Sequence, residues 1–303
     1  MLLKARTESD ELLAMRYLNP RMELTDKAKF RYSNLEKGYE GEVSFDLLTK
    51  NLQEERYILN DLLLEVNNST FQIDSLIISK GVIHLLDVKN FEGDCYFQSD
   101  KFFSVNSGRE YANPVTQLNK CTTHFRQLLQ NHKMNYLVES SVIFINPEFT
   151  LYQAPMNLPI VLPTQVNRFI RNLNNTPSTL NDGHKNLAQK LLSLHQTKNR
   201  FAVLPEYEYE QLQKGIFCLK CKSLSVAVNG RKCVCCWKCG HKEDIEAAVL
   251  RSVKEFKLLF PDRKLTTNAI YEWCHAVLGK KTICRVLKKN YTTHGNTSDT
   301  YYK

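Results

Sequence analysis

Apolar and polar positions change period along the chain, and each change marks an element. Leu35 to Leu52 (LEKGYEGEVSFDLLTKNL) places apolar residues at 35, 39, 43, 47, 48 and 52, which is helical spacing. Arg56 to Val66 then reads as a strand, closed by an Asn67-Asn68-Ser69 turn. Phe71 to Ile78 and Val82 to Lys89 are rich in β-branched and aromatic residues, and Ser79-Lys80-Gly81 offers a turn with glycine available for positive φ, so a β-hairpin is predicted. Short aromatic strands follow between Gly93 and Val105, with Asn106-Ser107-Gly108-Arg109 as a turn. Val115, Leu118, Cys121, Thr122, Phe125, Leu128 and Leu129 recur at helical spacing, with Gln117 near that helix's start. Ser141 to Asn146 and Pro159 to Leu162 read as later strands, and two helical patterns occupy 164–197 around a loop at Asn174 to Gly183.

At the ends of the chain the pattern is helical. Residues 5–18 form a predicted short helix ended by Asn19-Pro20, and Arg21 to Asn34 is a polar lead-in. Glu243 to Phe260 is a predicted amphipathic helix stopped by Pro261. Thr266 to Val277 and Lys280 to Lys289 flank Leu278-Gly279 in a helix-turn-helix-like arrangement whose core is expected from Trp273, Cys274, Val277, Ile283 and Leu287. Thr292 to Lys303 lacks apolar spacing and is expected to be frayed. The expected organisation is a helical lead-in at 1–34, an α/β domain at 35–200, a zinc ribbon at 205–241 and a basic helical tail at 242–303.

The hairpin carries the candidate chemistry. Side chains alternate along a strand, so Asp87 and Lys89 share one face. Pairing Ser79 with Val82 and counting outward sets Asp74 opposite Asp87. Directly opposed residues lie about 4.5–5.5 Å apart at Cβ, where two like charges are destabilising unless a cation lies between them. A divalent metal answers that description; the plain alternative is a pair of solvated acids at strand ends. Glu42, beside the apolar stripe of the preceding helix, adds a further carboxylate.

The cysteines change the picture next. Six of ten crowd into Cys218 to Cys239. Two C-x-x-C pairs, Cys218/Cys221 and Cys236/Cys239, have the spacing to wrap one Zn²⁺ in four thiolates, a closed structural site without an open position for chemistry. Cys233, Cys235 and His241 lie within reach as alternative ligands. Clustering of this kind fits a reducing compartment better than disulfides do. The segment MLLKARTESDELL has no apolar core of signal-peptide length and no stretch approaches the roughly 18 apolar residues of a membrane span, so a cytoplasmic protein without a membrane partner is expected. The formal net charge of +9 over 303 residues favours polyanionic partners. From Pro261 onward eight Lys or Arg face three acids, and Lys280, Lys281, Arg285, Lys288 and Lys289 are candidate phosphate contacts. Oligomeric state is not legible.

Gly38-Tyr39-Glu40-Gly41-Glu42, Gln72-Ile73-Asp74, Gly81, Asp87-Val88-Lys89-Asn90-Phe91 with Gly93, and Asn113-Pro114-Val115-Thr116-Gln117 together resemble the nuclease-related domain, a branch of the PD-(D/E)xK nuclease superfamily. The resemblance covers roughly 35–130. The family usually has glutamate where Asp87 stands, a ligand one methylene longer. The resemblance implies a restriction-endonuclease-like mixed sheet flanked by helices, and phosphodiester hydrolysis with Mg²⁺ (or Mn²⁺) held by Asp74, Asp87 and Glu42. In that reading Lys89 positions or activates water and Gln117 assists, with nucleic acid, expected to be DNA, as substrate. The competing reading is a nucleic-acid-binding or regulatory protein on a nuclease-like scaffold that does not cleave.

Overall fold

The computed structural model describes residues 1–196, 203–230, 232–296 and 299–303. The chain forms two compact units, one of Met1–Glu8 and Ser33–Arg200, the other of Ser9–Tyr32 and Phe201–Lys303. The expected lead-in is therefore divided between them, and the expected ribbon and tail fall in one unit. The expected domain limit near residue 200 lies outside the described residues. Among the described residues no helix is long and apolar enough to cross a membrane.

The first unit is built on a six-stranded mixed sheet, ordered β1 (Leu2–Lys4), β2 (Tyr57–Val66), β3 (Ser69–Ser79), β4 (Val82–Lys89), β8 (Leu137–Phe144), β10 (Ile160–Val161). β2, β3 and β4 run antiparallel, whereas β1 joins β2, β8 joins β4 and β10 joins β8 in parallel. Asn67 and Asn68 both take positive φ in the β2–β3 turn, which matches the strands' twist, and Gly81 (φ +81°) supplies the β3–β4 turn. A second sheet holds β7 (Glu110–Tyr111), β6 (Lys101–Ser104), β5 (Gly93–Gln98) and β9 (Phe149–Tyr152), in that order. Phe91 joins Phe102, Tyr111, Phe144 and Phe149 in an aromatic cluster, so the residues just after β4 are anchored in the core.

Helices cover both faces of the large sheet. α2 (Asp26–Thr49) and α4 (Pro163–Asn175) bury Phe45, Val166, Ile170 and Leu173 against Ile58, Ile77, Leu86, Val88 and Ile143. α3 (Pro114–Asn131) and α5 (Asp182–Leu194) bury Leu118, Phe125, Leu187 and Leu191 against Leu76, Leu85 and Val142. α2 starts at Asp26, inside the segment expected to be a polar lead-in to the helix that carries Glu42. Over the predicted stretch its most buried positions are Gly41, Phe45 and Thr49; of the predicted apolar stripe Leu48 and Leu52 pack against this core, whereas Leu47 is 56% exposed. The reason is a close approach: a Cβ on Gly41 would stand 2.5 Å from the Asn90 Cβ, so only glycine lets α2 press onto the end of β4.

The second unit contains α1 (Asp10–Leu18), a three-stranded sheet of β11 (Val226–Asn229), β12 (Cys233–Cys236) and β13 (Lys242–Asp244), then α6 (Ile245–Leu259), α7 (Thr267–Trp273), α8 (Lys280–Asn290) and a hairpin of β14 (Thr293–His294) and β15 (Tyr301–Tyr302). α1 begins at Asp10, where the Ser9 hydroxyl accepts the Leu12 N–H, rather than at residue 5. At its centre the fully buried Arg21 bonds Glu255 at 2.8 and 2.9 Å and lies between the Phe217 and Trp273 rings, 4.1 and 3.9 Å from their centroids. α7 stops at Trp273, short of the predicted Val277, because His275 and Ala276 turn to positive φ. The segment expected to be frayed pairs as the β14–β15 hairpin, with Tyr302 buried and its N–H on the Leu265 carbonyl; residues 297–298 lie outside the described residues.

Candidate active site and cysteine centre

The hairpin register follows the turn: Ser79 faces Val82, and pairing continues regularly to Ser75 opposite Leu86. The next pair outward is Asp74 and Asp87, and there the regular ladder ends. Instead the Asp74 carboxylate accepts the Val88 N–H at 2.8 Å. The break extends into β2, where Asp61, the residue across from Asp74, takes φ +56°. Leu59 and Leu62, like Ile73 and Leu76, belong to the same buried face although their spacing is odd, so both strands shift their alternation at this level. Asp74 thus sits at an irregularity of the sheet, where its carbonyl needs a donor from elsewhere.

That donor is Arg6, which follows β1 and carries no mark in the sequence that singles it out. Its guanidinium gives Nη2 to the Asp74 carbonyl (2.7 Å), Nη1 to Glu42 (2.6 Å), and Nε and Nη2 to Asp46 (3.0 and 3.1 Å). Its side chain is only 3% exposed. Glu42 and Asp46 are four residues apart on α2 and so share the face that meets Arg6. The one sequence signal was that i, i+4 pair of acids, which implies a cation opposite.

Beyond Asp74, Asp87 bonds the Lys89 ammonium through Oδ1 at 2.9 Å, while its buried Oδ2 meets no N–H or cation and faces the Asp74 carboxyl, which can bond it only when protonated. Burial, then the facing Asp87, push Asp74 up to about 7. Burial, then Asp74, push Glu42 up to about 8 even against Arg6. Asp87 is raised by burial, with Lys89 opposing. Burial disfavours the Lys89 charge, but Asp87 and Asp74 outweigh it and hold the ammonium above the ordinary lysine range. Three carboxylates crowd one low-dielectric corner that has fewer cationic partners than it needs, and a buried carboxylate oxygen met by no N–H or cation marks where a cation would be held. Of the three expected ligands the structure brings Asp74 and Asp87 together, while Glu42 is engaged by Arg6. Gln117 is exposed on α3, one helical turn before Cys121, whose thiol is pushed up to about 12 by burial and then by Asp74 and Asp87. α3 therefore borders the same corner.

The family model of the nuclease-related domain matches residues 37–145, about a third of the chain. No curated protein and no solved structure matches the chain. The matched segment of the nuclease-related domain contains Glu42, Asp46, Asp74, Asp87, Lys89 and Gln117, whereas Arg6 lies outside it.

In the second unit the Sγ atoms of Cys218, Cys221, Cys236 and Cys239 lie within 4.8 Å of one another. Among the described residues no other cluster of His, Cys, Asp or Glu converges as closely. Cys218 and Cys239 are 3.5 Å apart at sulfur, Cys221 and Cys236 3.6 Å, close to the edge of a tetrahedron of thiolates about 2.3 Å from a central ion. Cys233 turns instead to the Asn229 carbonyl and Cys235 to those of Cys236 and Gly240. The cluster is compatible with a zinc ribbon.

The raised carboxylates make a pH prediction. Asp74 and Glu42 ionise near 3.8 and 4.5 in an unfolded chain but near 7 and 8 here, so between those limits the folded state holds more protons and its stability falls as pH rises. In buffer without Mg²⁺ or Mn²⁺, the protection of β3 and β4 against hydrogen exchange, measured relative to the intrinsic amide rate at each pH, is expected to fall from pH 5 to 8, corresponding to a loss on the order of a few kcal/mol. Asp74→Asn is expected to flatten that slope. An identical slope in the variant would count against the assignment.

Proposed function

We propose that the first unit is a nuclease that hydrolyses nucleic-acid phosphodiesters with a divalent cation, Mg²⁺ or Mn²⁺, and that DNA is its substrate. The observation that carries this reading is the pair of buried, mutually facing carboxyls of Asp74 and Asp87 beside Lys89, with the Asp87 Oδ2 met by no N–H or cation. A purely structural acid pair has no reason to keep such an oxygen, nor to push carboxylates into the neutral range. Asp74 and Asp87 would hold the cation, hard oxygen donors from adjacent strands being suited to Mg²⁺. When bound, that cation supplies Lewis-acid polarisation of a phosphoryl oxygen and lowers the pKa of water. Lys89 presents its ammonium on the same face, where it orients the attacking water and offsets charge on the phosphoryl group. Glu42 and Asp46, clamped by Arg6, set the field around the two ligands, and Gln117 borders the corner where substrate would lie.

The four cysteines would hold a structural Zn²⁺, which leaves no position open for substrate. The reading is tested by incubating the purified chain with linear, circular and single-stranded DNA, with and without Mg²⁺ or Mn²⁺. Tight binding with no cleavage under any cation would leave the non-catalytic reading.

Affinity would come in part from the tail. Lys280, Lys281, Arg285 and Lys288 line one open cavity of about 540 Å³ together with Thr267 and Cys284. Lys280 and Lys281 open α8, where acids are the favoured residues, and Gly279 provides no side-chain cap, so local stability is given up for a positive rim. Lys289, expected in the same group, bonds Glu246 at 2.8 Å. Replacing Lys281 and Arg285 with glutamate is expected to raise the dissociation constant for DNA and to lower the slope of log K against log salt by about one for each phosphate no longer neutralised. Lys289→Ala should change both less. A salt titration in which all three proteins coincide would remove the tail from the interface.

A further inference from the structure

The ribbon carries a surface that neither the zinc site nor the tail accounts for. Between Glu210 and Glu243 the chain has no Asp or Glu but seven Lys or Arg: 214, 220, 222, 231, 232, 238 and 242. Lys220, Lys222, Lys232, Lys238 and Lys242 are exposed. This acid-free stretch is more uniformly basic than the tail and contains the cysteine centre.

The two cysteine pairs are built alike. Lys222 N–H bonds the Cys218 carbonyl at 2.9 Å and Gly240 N–H the Cys236 carbonyl at 2.8 Å, and both donor residues take positive φ (+56° and +71°). Each knuckle holds an apolar residue followed by lysine, Leu219-Lys220 and Trp237-Lys238. Leu219 is 44% exposed and Trp237 78%. The Trp237 N–H is tied to the Ser225 carbonyl at 2.9 Å, so the backbone beneath the ring is fixed while the indole stands in water. The other tryptophan, Trp273, is fully buried.

An indole left in water forgoes a large apolar contribution, and here it stands in a stretch whose exposed charged side chains, among the described residues, are all lysines. A polyanion that also exposes flat aromatic faces satisfies both features. Duplex bases present no free face along their length, whereas single strands do. We propose that the ribbon is a binding site for single-stranded nucleic acid, in which an unpaired base stacks on Trp237 and flanking phosphates meet Lys220, Lys222 and Lys238. The inference rests on the nucleic-acid reading above but not on cleavage.

The test uses the full-length, zinc-loaded chain without Mg²⁺ or Mn²⁺, with a short oligothymidylate and a duplex of the same length as probes. Tryptophan emission is expected to be quenched by the oligothymidylate in the wild type and not in Trp237→Ala. Trp237→Ala should bind the single strand about five- to a hundred-fold more weakly, with duplex affinity changed less than about twofold, and Trp237→Phe should retain most of the affinity. Equal zinc content in the three proteins shows that the ribbon is intact. Unchanged single-strand affinity in Trp237→Ala, an equal loss on both probes, or no binding of either probe by the wild type overturns the proposal, the last in favour of a protein-facing tip. Cleavage assayed separately with Mg²⁺ distinguishes the two readings: its absence with Trp237-dependent binding intact touches only the nuclease assignment.

Discussion

Lys89→Ala is expected to reduce phosphodiester cleavage by about 10²- to 10⁴-fold, the range associated with loss of a positioned proton-handling group, while the sheet stays folded. Asp74→Asn should abolish cleavage as well, but with the opposite effect on the metal-free fold. Asparagine keeps an oxygen for the Val88 N–H and removes a charge that faces Asp87 and Glu42. The metal-free Asp74→Asn protein should therefore be more stable than wild type at pH 8, by on the order of 1–2 kcal/mol. Activity lost while stability is gained is the signature of acids kept for chemistry. Cleavage at the wild-type rate by Lys89→Ala, or destabilisation by Asp74→Asn at that pH, would refute the assignment.

The second large effect concerns the cysteine centre. Replacing Cys218 and Cys221 with serine is expected to release about one zinc per chain and to unfold β11 to β13. A ribbon of this length has little core of its own, and structural zinc supplies about 10–16 kcal/mol to such folds. The damage should spread through the second unit, because Arg251 bonds the Phe217 carbonyl and Arg21 bonds those of Gln213 and Gly215. Exchange should rise in α1 and α6 and stay unchanged in β2 to β4. Native protein without zinc by elemental analysis, or a double variant that keeps its zinc, would end the claim.

The parts of this architecture that were legible in the sequence are those written locally. The β3–β4 register follows from a two-residue turn and an apolar alternation that tolerates no slip, and the four cysteines follow from paired spacing. Arg6 was not legible. It is delivered by a three-residue strand that pairs in parallel with β2 more than fifty residues away, and neither partner carries a local mark of the other. The alternation shift at Asp74 was hidden because Ile73 and Leu76 each fit a strand taken separately. The buried face of α2 was only partly legible, since glycine and threonine hold two of its most buried positions, residues that an apolar count passes over. The hairpin at the C-terminus depends on Tyr302 reaching Leu265, a contact that no periodicity within 292–303 announces.

Because Arg21 and Glu255 are 234 residues apart and both fully enclosed, the second unit cannot close until nearly the whole chain has been synthesised. At about 5–20 residues per second, the ribosome would emit α1 and Arg21 roughly ten to fifty seconds before their partner. During that interval the first unit receives all of its strands in sequence, while the earlier segment waits with an arginine whose burial would cost several kcal/mol unpaired. Order of emergence and order of completion are thus inverted for residues 9–32, and a nascent chain arrested near residue 200 should display a protected β2–β4 meander beside a protease-sensitive α1.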